Sequence, residues 1–350
     1  MSQSSHLTLG ELAETLQLDC VGDSSLEIRG LATLASAGAG ELSFLANPKY
    51  QKQLAATRAS AVILHRNMAG STELPALLSD NPYLAFAKAS ALFDDAPAIS
   101  GVHHTATIAS SAQLGDGVAI GPNVVIGEEV TIGAGSTLHA GVVIGDGAQL
   151  GERCLLFSNV SVYHKVSIGD DVRIHSGVVI GADGFGFAPN GAAWTKVFQL
   201  GSVRIGNRVE IGSGTTIDRG ALDDTVIGND VILDSQVLIA HNVVIGDGSA
   251  FAGRSGVAGS SVVGSNCTVG GGVGILGHLR VADKVHITSC TLVTKSILEE
   301  GASFSSGTPM MPTGDWRKSA VRFLQLDTLN KRLALIEKKL DEVLNQNSGK

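Results

Sequence analysis

An aliphatic residue that returns at every sixth position constrains the fold of this chain more than any other feature. The repeat runs without interruption from Val102 to Ile180, and after two breaks it continues to Val293. Of its 29 positions, all but Phe251 hold Val, Ile or Leu, and Gly follows directly in 14. A period of six matches neither a helix nor an alternating strand. It indicates a short strand followed by a turn whose backbone favours Gly, and therefore a parallel β-helix.

The number of repeats sets the size of this β-helix. We call each six-residue repeat a hexad and number its places from the repeating aliphatic residue. Three hexads make one turn of a triangular coil, so 29 hexads predict nine to ten coils. Stacked at about 4.8 Å, they form a prism on the order of 45 Å long. The spacing leaves the handedness open, and right-handed crossovers are the general rule.

Two interruptions of the repeat argue against a purely structural scaffold. Residues 184–204 follow Ile180 as a long insertion, and four extra residues fall between Ile217 and Ile227. Long insertions in a regular solenoid usually carry binding or assembly.

The segments on either side of the repeat predict two further units. Residues 1–100 combine a capping box (Thr8 with Glu11) with a buried strand in ASAVIL, which indicates a small α/β domain. The β-helix then covers 101–305, and 306–350 comprise a linker (TPMMP) and a long helix. The helix carries a heptad seam of Leu326, Leu329, Leu333, Ile336, Leu340 and Val343. This seam favours self-association of the prism, although packing of the helix against its own prism is the alternative.

Composition and charge narrow the function. The N-terminal stretch MSQSSHLTLGELAETL has no basic segment followed by an apolar one, and no apolar run in the chain reaches membrane length, so we expect a cytoplasmic protein. Four widely separated cysteines without CxxC spacing predict neither a disulfide framework nor a structural zinc site. The net charge of −8 argues against nucleic-acid binding, but residues 280–350 carry a balance of +3 and could receive an acidic partner.

Four sequence stretches in a fixed order carry a family resemblance. They are SFLANPKY, GADGFGF, TTIDRGALDDTVIGNDVILDSQVLIAHNVVIGD and WRKSA. In this order around hexapeptide repeats, the chain resembles the UDP-3-O-(3-hydroxyacyl)glucosamine N-acyltransferases of lipid A biosynthesis. The resemblance implies a left-handed β-helix, a homotrimer and at most peripheral membrane contact. It also implies an acyl carrier protein donor, whose acyl chain is attached to 4′-phosphopantetheine, and a UDP-3-O-acyl-glucosamine acceptor. It implies no metal and no cofactor of the enzyme's own.

The same resemblance assigns a uracil site to the N-terminal domain, at Phe44, Asn47 and Tyr50. A planar base stacks on aromatic faces, and its amide edge needs the donor and acceptor that Asn supplies. The alternative for each is structural: a core Phe, a helix-packing Tyr and an Asn that starts the turn before Pro48.

His241 is the candidate catalytic base. It occupies the third place of its hexad, counted from Ile239, where other hexads hold outward polar residues such as Asp146 and Asp170. A buried core histidine is therefore disfavoured, and the competing interpretation is a solvated turn residue. The resemblance implies general-base catalysis.

Counting hexads places two glycines in the column of His241. Position 259 lies 18 residues on, hence one coil further, and holds Gly259; another 18 residues lead to Gly277, beside His278. The result is a groove about 10 Å long that could admit a pantetheine arm, with the Gly259 N–H as candidate oxyanion donor. Turn geometry alone is the alternative for the glycines.

Two further residues are expected to contact substrates. Asp234 is a possible orienter of His241 or pantetheine contact, and His278 a substrate contact, although either could be an ordinary surface group. His164 lies three coils from His241, about 14 Å away, too far to share one metal with it. This weakens a carbonic-anhydrase interpretation.

Two other functions stay open from sequence. One is an acetyl-CoA-dependent nucleotide-sugar N-acetyltransferase, which the basic C-terminal end and long helix disfavour. The other is a structural β-helix that binds a sugar nucleotide without turning it over.

Overall fold

The computed structural model describes residues 6–94, 99–307 and 309–347. Its contacts divide the chain into two compact units, Met1–Ala98 and Ile99–Lys350. The predicted fold class, a mainly β parallel helix with a small α/β domain before it and helices after it, is confirmed.

The first unit is built on a five-stranded sheet. Its strand order is Asp19–Val21, Ala76–Ser79, Ala61–His65, Glu41–Phe44 and Gly30–Leu31, with the first pair antiparallel and the others parallel. Leu7–Thr8 and Glu27–Ile28 form a separate pair; the helices are Leu9–Leu16, Gln51–Leu54 and Pro82–Leu92, with 3-10 turns at Pro48–Tyr50 and Arg66–Met68.

Local sequence signals account for two of these elements. The Thr8 hydroxyl accepts from the Glu11 N–H at 3.2 Å while the Glu11 carboxylate accepts from the Thr8 N–H at 2.7 Å, as the capping box predicts. The strand Ala61–His65 is buried over its first four residues, in agreement with the apolar run in ASAVIL.

The second unit is a three-sided prism of short parallel strands, whose sides we call faces A, B and C. In the described ranges they hold ten, ten and nine strands. Face A comprises Ala119–Ile120, Thr137–Leu138, Leu155–Leu156, Arg173–Ile174, Glu210–Ile211, Ile232–Leu233, Ala250–Phe251, Thr268–Val269, His286–Ile287 and Ser303–Phe304. Face B comprises Thr107–Ile108, Val125–Ile126, Val143–Ile144, Ser161–Val162, Val179–Asp183, Thr216–Arg219, Leu238–Ile239, Gly256–Val257, Gly274–Ile275 and Leu292–Val293. Face C comprises Gln113–Leu114, Thr131–Ile132, Gln149–Leu150, Ser167–Ile168, Val203–Ile205, Thr225–Ile227, Val244–Ile245, Val262–Val263 and Arg280–Val281.

Most hexads bury two side chains in the prism: the repeating aliphatic residue and the residue two places before it, which is aliphatic in many coils and Ser or Thr in others, as at Ser136 and Thr215. Ile126 is 2% exposed and pairs with Ile144 one coil on, and Val124, two residues before Ile126, is fully buried. The stacked aliphatic residues therefore form one continuous core along the prism.

The glycines of the repeat serve a purpose different from the one we expected. Apart from Gly181 (φ 88°), the glycines at the second hexad place do not adopt a left-handed φ. A Cβ added to Gly133 would lie 2.5 Å from the backbone carbon of Gly151 in the next coil. The left-handed residue is instead at the fourth place, as at Glu129 (φ 56°) and Arg153 (φ 53°). The second-place glycines thus allow close approach of successive coils rather than the turn itself.

The insertions form loops at the edges of the prism. Residues 184–204 contain a hairpin of Phe187–Asn190 and Ala193–Lys196. Phe185, Trp194 and Phe198 are each more than two-thirds exposed there.

The C-terminal segment forms two helices, Thr313–Leu324 and Leu326–Asn347, which meet at Gln325. The described side chains of the predicted heptad seam, from Leu326 to Leu340, are 47–60% exposed. The Val343 side chain and Thr308 of the predicted linker lie outside the described residues. No helix in the described ranges is long and apolar enough to cross a bilayer.

We expect Gly133→Ala to destabilise the prism, because the added methyl group would overlap the backbone of the next coil. Overpacking of this kind typically costs about 1–3 kcal/mol. Thr131→Ala, an exposed change in the same region, should stay within about 0.5 kcal/mol of the parent chain. Urea unfolding followed by circular dichroism measures both, and equal midpoints for the two variants would contradict the close-approach explanation.

Candidate active site

The His241 side chain lies at the corner that comes directly after the face B strand Leu238–Ile239. Its Nδ1 is 3.1 Å from Oδ1 of Asn242. That amide is fixed in turn, since its Nδ2 donates to the Asp223 carbonyl at 2.8 Å and its Oδ1 also accepts from the Ala221 N–H at 2.9 Å. Because Oδ1 can only accept, the proton of the neutral imidazole lies on Nδ1, which leaves the lone pair on Nε2 for a substrate proton.

Two glycines bracket the imidazole. A Cβ added to Gly184 would lie 2.6 Å from the His241 Cβ, and one added to Gly259 would lie 2.7 Å from Cε1 and Nε2. Neither glycine has a left-handed φ, so turn geometry does not explain them. Gly259 instead provides the space that the Cε1–Nε2 edge of the ring occupies.

The Gly259 N–H is available because of its neighbour in the next coil. At the same corner the N–H of Glu128 donates to the Asp146 carboxylate, 18 residues on, at 2.9 Å. The residue 18 places after Gly259 is Gly277, which has no side chain. Within the described part of the chain the Gly259 N–H therefore has no protein acceptor.

Strand pairing confirms the column that hexad counting predicts. Leu238 pairs with Gly256, and Gly256 with Gly274, so positions 241, 259 and 277 stack in successive coils. The His278 N–H donates to the Gly259 carbonyl at 3.0 Å, and its side chain is exposed at the far end of this column.

Asp234 lies at a different corner of the prism from His241. It comes directly after the face A strand Ile232–Leu233, and its two oxygens accept from the Ser235 N–H at 2.7 Å and the Gly253 N–H at 2.8 Å. Within a single chain Asp234 thus does not reach His241, and Asn242 is the group that bonds its Nδ1.

A carboxylate that sequence analysis missed, Asp218, is the one beside His241. Burial raises the pKa of Asp218 to about 6, with His241 lowering this pKa and Asp183 raising it. Asp218, Asn242 and Gly184 all belong to stretches that carry the family resemblance (TTIDRG, LIAHN and GADGFGF), which is the signal that could have identified them.

His164 is at the same corner but is engaged by Arg219. The strands of face B place it three coils from His241, as predicted. The buried Arg219 donates to the His164 carbonyl at 2.7 Å and contacts its Nε2. Burial and the charge of Arg219 both lower the pKa of His164, so this pair ties coils together rather than joining the His241 site.

In the first unit, three of the predicted residues line one cavity of about 430 Å³: Phe44, Asn47 and Tyr50. Phe44 stacks on Phe86 with ring centroids 4.0 Å apart. Tyr50 is 52% exposed, and Tyr83, which sequence analysis did not select, lines the same cavity. The cavity thus presents aromatic surface of the kind that a planar ligand stacks on.

Asn47 starts the turn before Pro48, which is the structural alternative stated for it above, and its amide Nδ2 remains available as a donor. Its Oδ1 accepts from the Lys49 N–H at 3.0 Å and caps the 3-10 turn that begins at Pro48. Its Nδ2 has no protein acceptor in the described ranges, and the residue lines the cavity.

Three protein families match separate segments of the chain. Residues 25–92 match the family UDP-3-O-(3-hydroxymyristoyl) glucosamine N-acyltransferase, LpxD. Residues 102–183 match the GMPPB C-terminal domain, and 224–259 match the bacterial transferase hexapeptide family. Among solved structures, the Arabidopsis UDP-N-acetylglucosamine acyltransferase superposes with a TM-score of 0.55 at 25% identity, over 59% of this chain and 71% of that one.

Relatives that share nearly the full length are more informative. A UDP-3-O-acylglucosamine N-acyltransferase of Cellvibrio japonicus is 56% identical over 95% of this chain and 97% of its own. Its namesake from Pseudomonas entomophila is 48% identical over 96% of both chains. Identity at this level over whole chains shows that the protein belongs to the UDP-3-O-acylglucosamine N-acyltransferase family.

Proposed function

We propose that this acyltransferase moves a 3-hydroxyacyl chain from acyl carrier protein to the 2-amino group of UDP-3-O-acyl-glucosamine, a step of lipid A biosynthesis. The observation that carries the proposal is the pairing, in one column, of His241 and Gly259. Among the described residues, nothing hydrogen-bonds Nε2 of the half-buried His241 imidazole, and the Gly259 N–H has no acceptor.

The chemistry assigns one task to each group. The amine nitrogen attacks the thioester carbonyl while Nε2 of His241 takes a proton from that nitrogen. The tetrahedral oxyanion accepts a hydrogen bond from the Gly259 N–H. When the C–S bond breaks, the imidazolium returns its proton to the departing pantetheine thiolate, which leaves an amide and a free thiol.

The acceptor's uracil fits the cavity of the first unit. Phe44 and Tyr50 offer aromatic faces, and the Asn47 Nδ2 offers a donor to a ring carbonyl. In this proposal His278 and Asp234 contact the substrates at the second unit, His278 from the end of the glycine groove.

A trimer is proposed from the distribution of charge over the prism. On face B the residue before each inward aliphatic carries no charge in the described coils, and Val125, Val143 and Leu238 are 42–48% exposed there. Faces A and C each present charged residues at this position, such as Arg173 and Arg204. Since His241 is at the edge of face B, packing through this face places the site between subunits.

The donor is proposed to be a protein because the C-terminal end is basic. Arg317 and Arg322 are exposed on the helix Thr313–Leu324. An acidic carrier protein would be attracted to such a surface.

We expect His241→Ala to lower kcat by about 10² to 10⁴ with a nearly unchanged melting temperature, because the ring contributes little to the prism core. Gly259→Val should damage catalysis as strongly, since its side chain would displace the imidazole. His278→Ala should raise KM more than it lowers kcat. Steady-state kinetics, with the exposed His104→Ala as control, measures these effects; wild-type kcat in His241→Ala would refute the mechanism.

Truncation of Phe44 or Tyr50 to Ala should weaken UDP-sugar binding by about 1–3 kcal/mol each if the rings stack on uracil. Trp316→Ala, an exposed aromatic change in the second unit, should not alter it. Calorimetry with the UDP-sugar measures the affinities. Unchanged nucleotide affinity in correctly folded Phe44 and Tyr50 variants would return both residues to structural roles.

Light scattering should give a mass of three times 35.9 kDa for the full chain. Val143→Arg should weaken the trimer by burying charge in face B, whereas Gln149→Arg on face C should leave it intact. Removal of 316–350 should weaken it as well, through loss of the heptad seam. A full chain that is monomeric at micromolar concentration would rule out the intersubunit site.

Replacement of Arg317 and Arg322 by Glu should raise the KM for acyl carrier protein and leave UDP-sugar affinity unchanged. Salt should raise the wild-type donor KM too, because exposed charges are screened beyond about 8 Å at physiological ionic strength. Arg58→Glu in the first unit serves as the control. Equal activity with free acyl-CoA, insensitive to salt, would favour acetyl-CoA-type donors instead.

A further inference from the structure

At several corners of the prism the second-place position faces the third-place residue of the next coil, as it does at Gly127, Gly228 and Gly264. A Cβ added to the second-place Gly127 would lie 2.2 Å from Oδ1 of the third-place Asp146. The second-place Asp234 shows the same arrangement, since its carboxylate accepts from the N–H of the third-place Gly253.

Asp218 and His241 occupy such a pair of second and third places in successive coils. Ile217 pairs with Ile239, so Asp218 holds the second place one coil before His241, which holds the third. The effect of His241 on the pKa of Asp218 agrees with this proximity.

The carboxylate of Asp218 makes no hydrogen bond or ion pair that would stabilise the described part of the fold. It is half-buried, and no hydrogen bond or ion pair joins it to the described part of the chain. The charged neighbours are committed elsewhere: Arg219 binds His164, and Asp183 forms an ion pair with Lys196. A half-buried carboxylate without a partner, beside a candidate base, is typical of a functional site.

We propose that Asp218 is a positioning residue of the reaction, which stabilises the imidazolium that forms on His241 when it takes the proton of the acceptor amine. This inference rests on the proposed role of His241 as base. No proton passes to Asp218: its negative charge offsets the positive charge of the ring until that proton leaves with the thiolate.

The pKa of Asp218 gives the proposal a second readout, in stability. Its folded value of about 6 lies above the ordinary value, so the folded state binds this proton more tightly than the unfolded state does. Ionisation of Asp218 therefore lowers stability as pH rises through 6. An amide at this position avoids that loss, so Asp218→Asn should melt higher than wild type at pH 8, and the difference should shrink as the pH falls toward the ordinary carboxyl pKa.

The decisive experiment compares four variants of the full chain by steady-state kinetics across pH. Asp218→Asn should lower kcat by about 10- to 100-fold with both KM values within about twofold, and should move the acid limb of the kcat/KM profile about one unit lower. Asp218→Glu should recover part of the rate. Asp146→Asn, at the same corner four coils from His241, should behave as wild type, and His241→Ala should be inactive.

Each outcome separates the two proposals. An inactive His241→Ala beside an Asp218→Asn with wild-type kcat and an unmoved acid limb would overturn the inference and leave the proposed function intact. A raised UDP-sugar KM with unchanged kcat would also overturn it, because Asp218 would then contact the acceptor. An active His241→Ala removes the base on which the inference rests. If Asp218→Asn does not fold, the kcat/KM profile of Asp218→Glu is compared with that of wild type. A shifted acid limb supports the inference, and an unshifted one with wild-type kcat overturns it.

Discussion

The structure depends on the vertical register of its coils, in which each residue stacks on the one 18 places later wherever the hexads are unbroken. Backbone hydrogen bonds between coils, such as that from the Val125 N–H to the Val142 carbonyl at 2.9 Å, hold the register, and the aliphatic core stabilises it. A slip by one residue would turn the inward side chains outward. The register tolerates little displacement of one coil against the next, because the second-place glycines let successive backbones approach closely.

The candidate site arises where the repeat departs from its own pattern at one corner. The second place, which Gly occupies in 14 of the 29 hexads, is held by Asp218, and the third place of the next coil, commonly acidic or polar, by His241. In the two coils beyond, the third place holds Gly259 and Gly277, whose missing side chains open a groove and release a backbone N–H. The neighbouring coils and the loop at Ala221 and Asp223 hold these groups in place, which is the kind of preorganisation that acyl transfer needs.

Hexad counting predicted the features that depend on the period alone: the prism, the column of His241, Gly259 and Gly277, and the distance in coils to His164. It could not predict the reason for the glycines, because close approach and turn geometry both select Gly. The break at Gln325 also escaped prediction, since apolar periodicity continues through it.

The carboxylate beside His241 escaped prediction for a related reason. Counting along one column located residues in the third place but did not reveal that second-place side chains point at the next coil, so Asp218 was overlooked. Asn242 was overlooked because a left-handed Asn at a turn is ordinary, and only its fixed amide shows that it orients the ring.

The proposed reaction transfers an acyl chain from a carrier protein to the sugar amine, and mass spectrometry of the product detects this transfer. The purified chain would receive UDP-3-O-acyl-glucosamine together with a mixture of acyl carrier proteins bearing chains of different lengths. We expect a product heavier by one acyl group, amide-linked at the 2-amino nitrogen, with free carrier thiol formed in equal amount. Recovery of unmodified UDP-sugar, or of an ester in place of the amide, would contradict it.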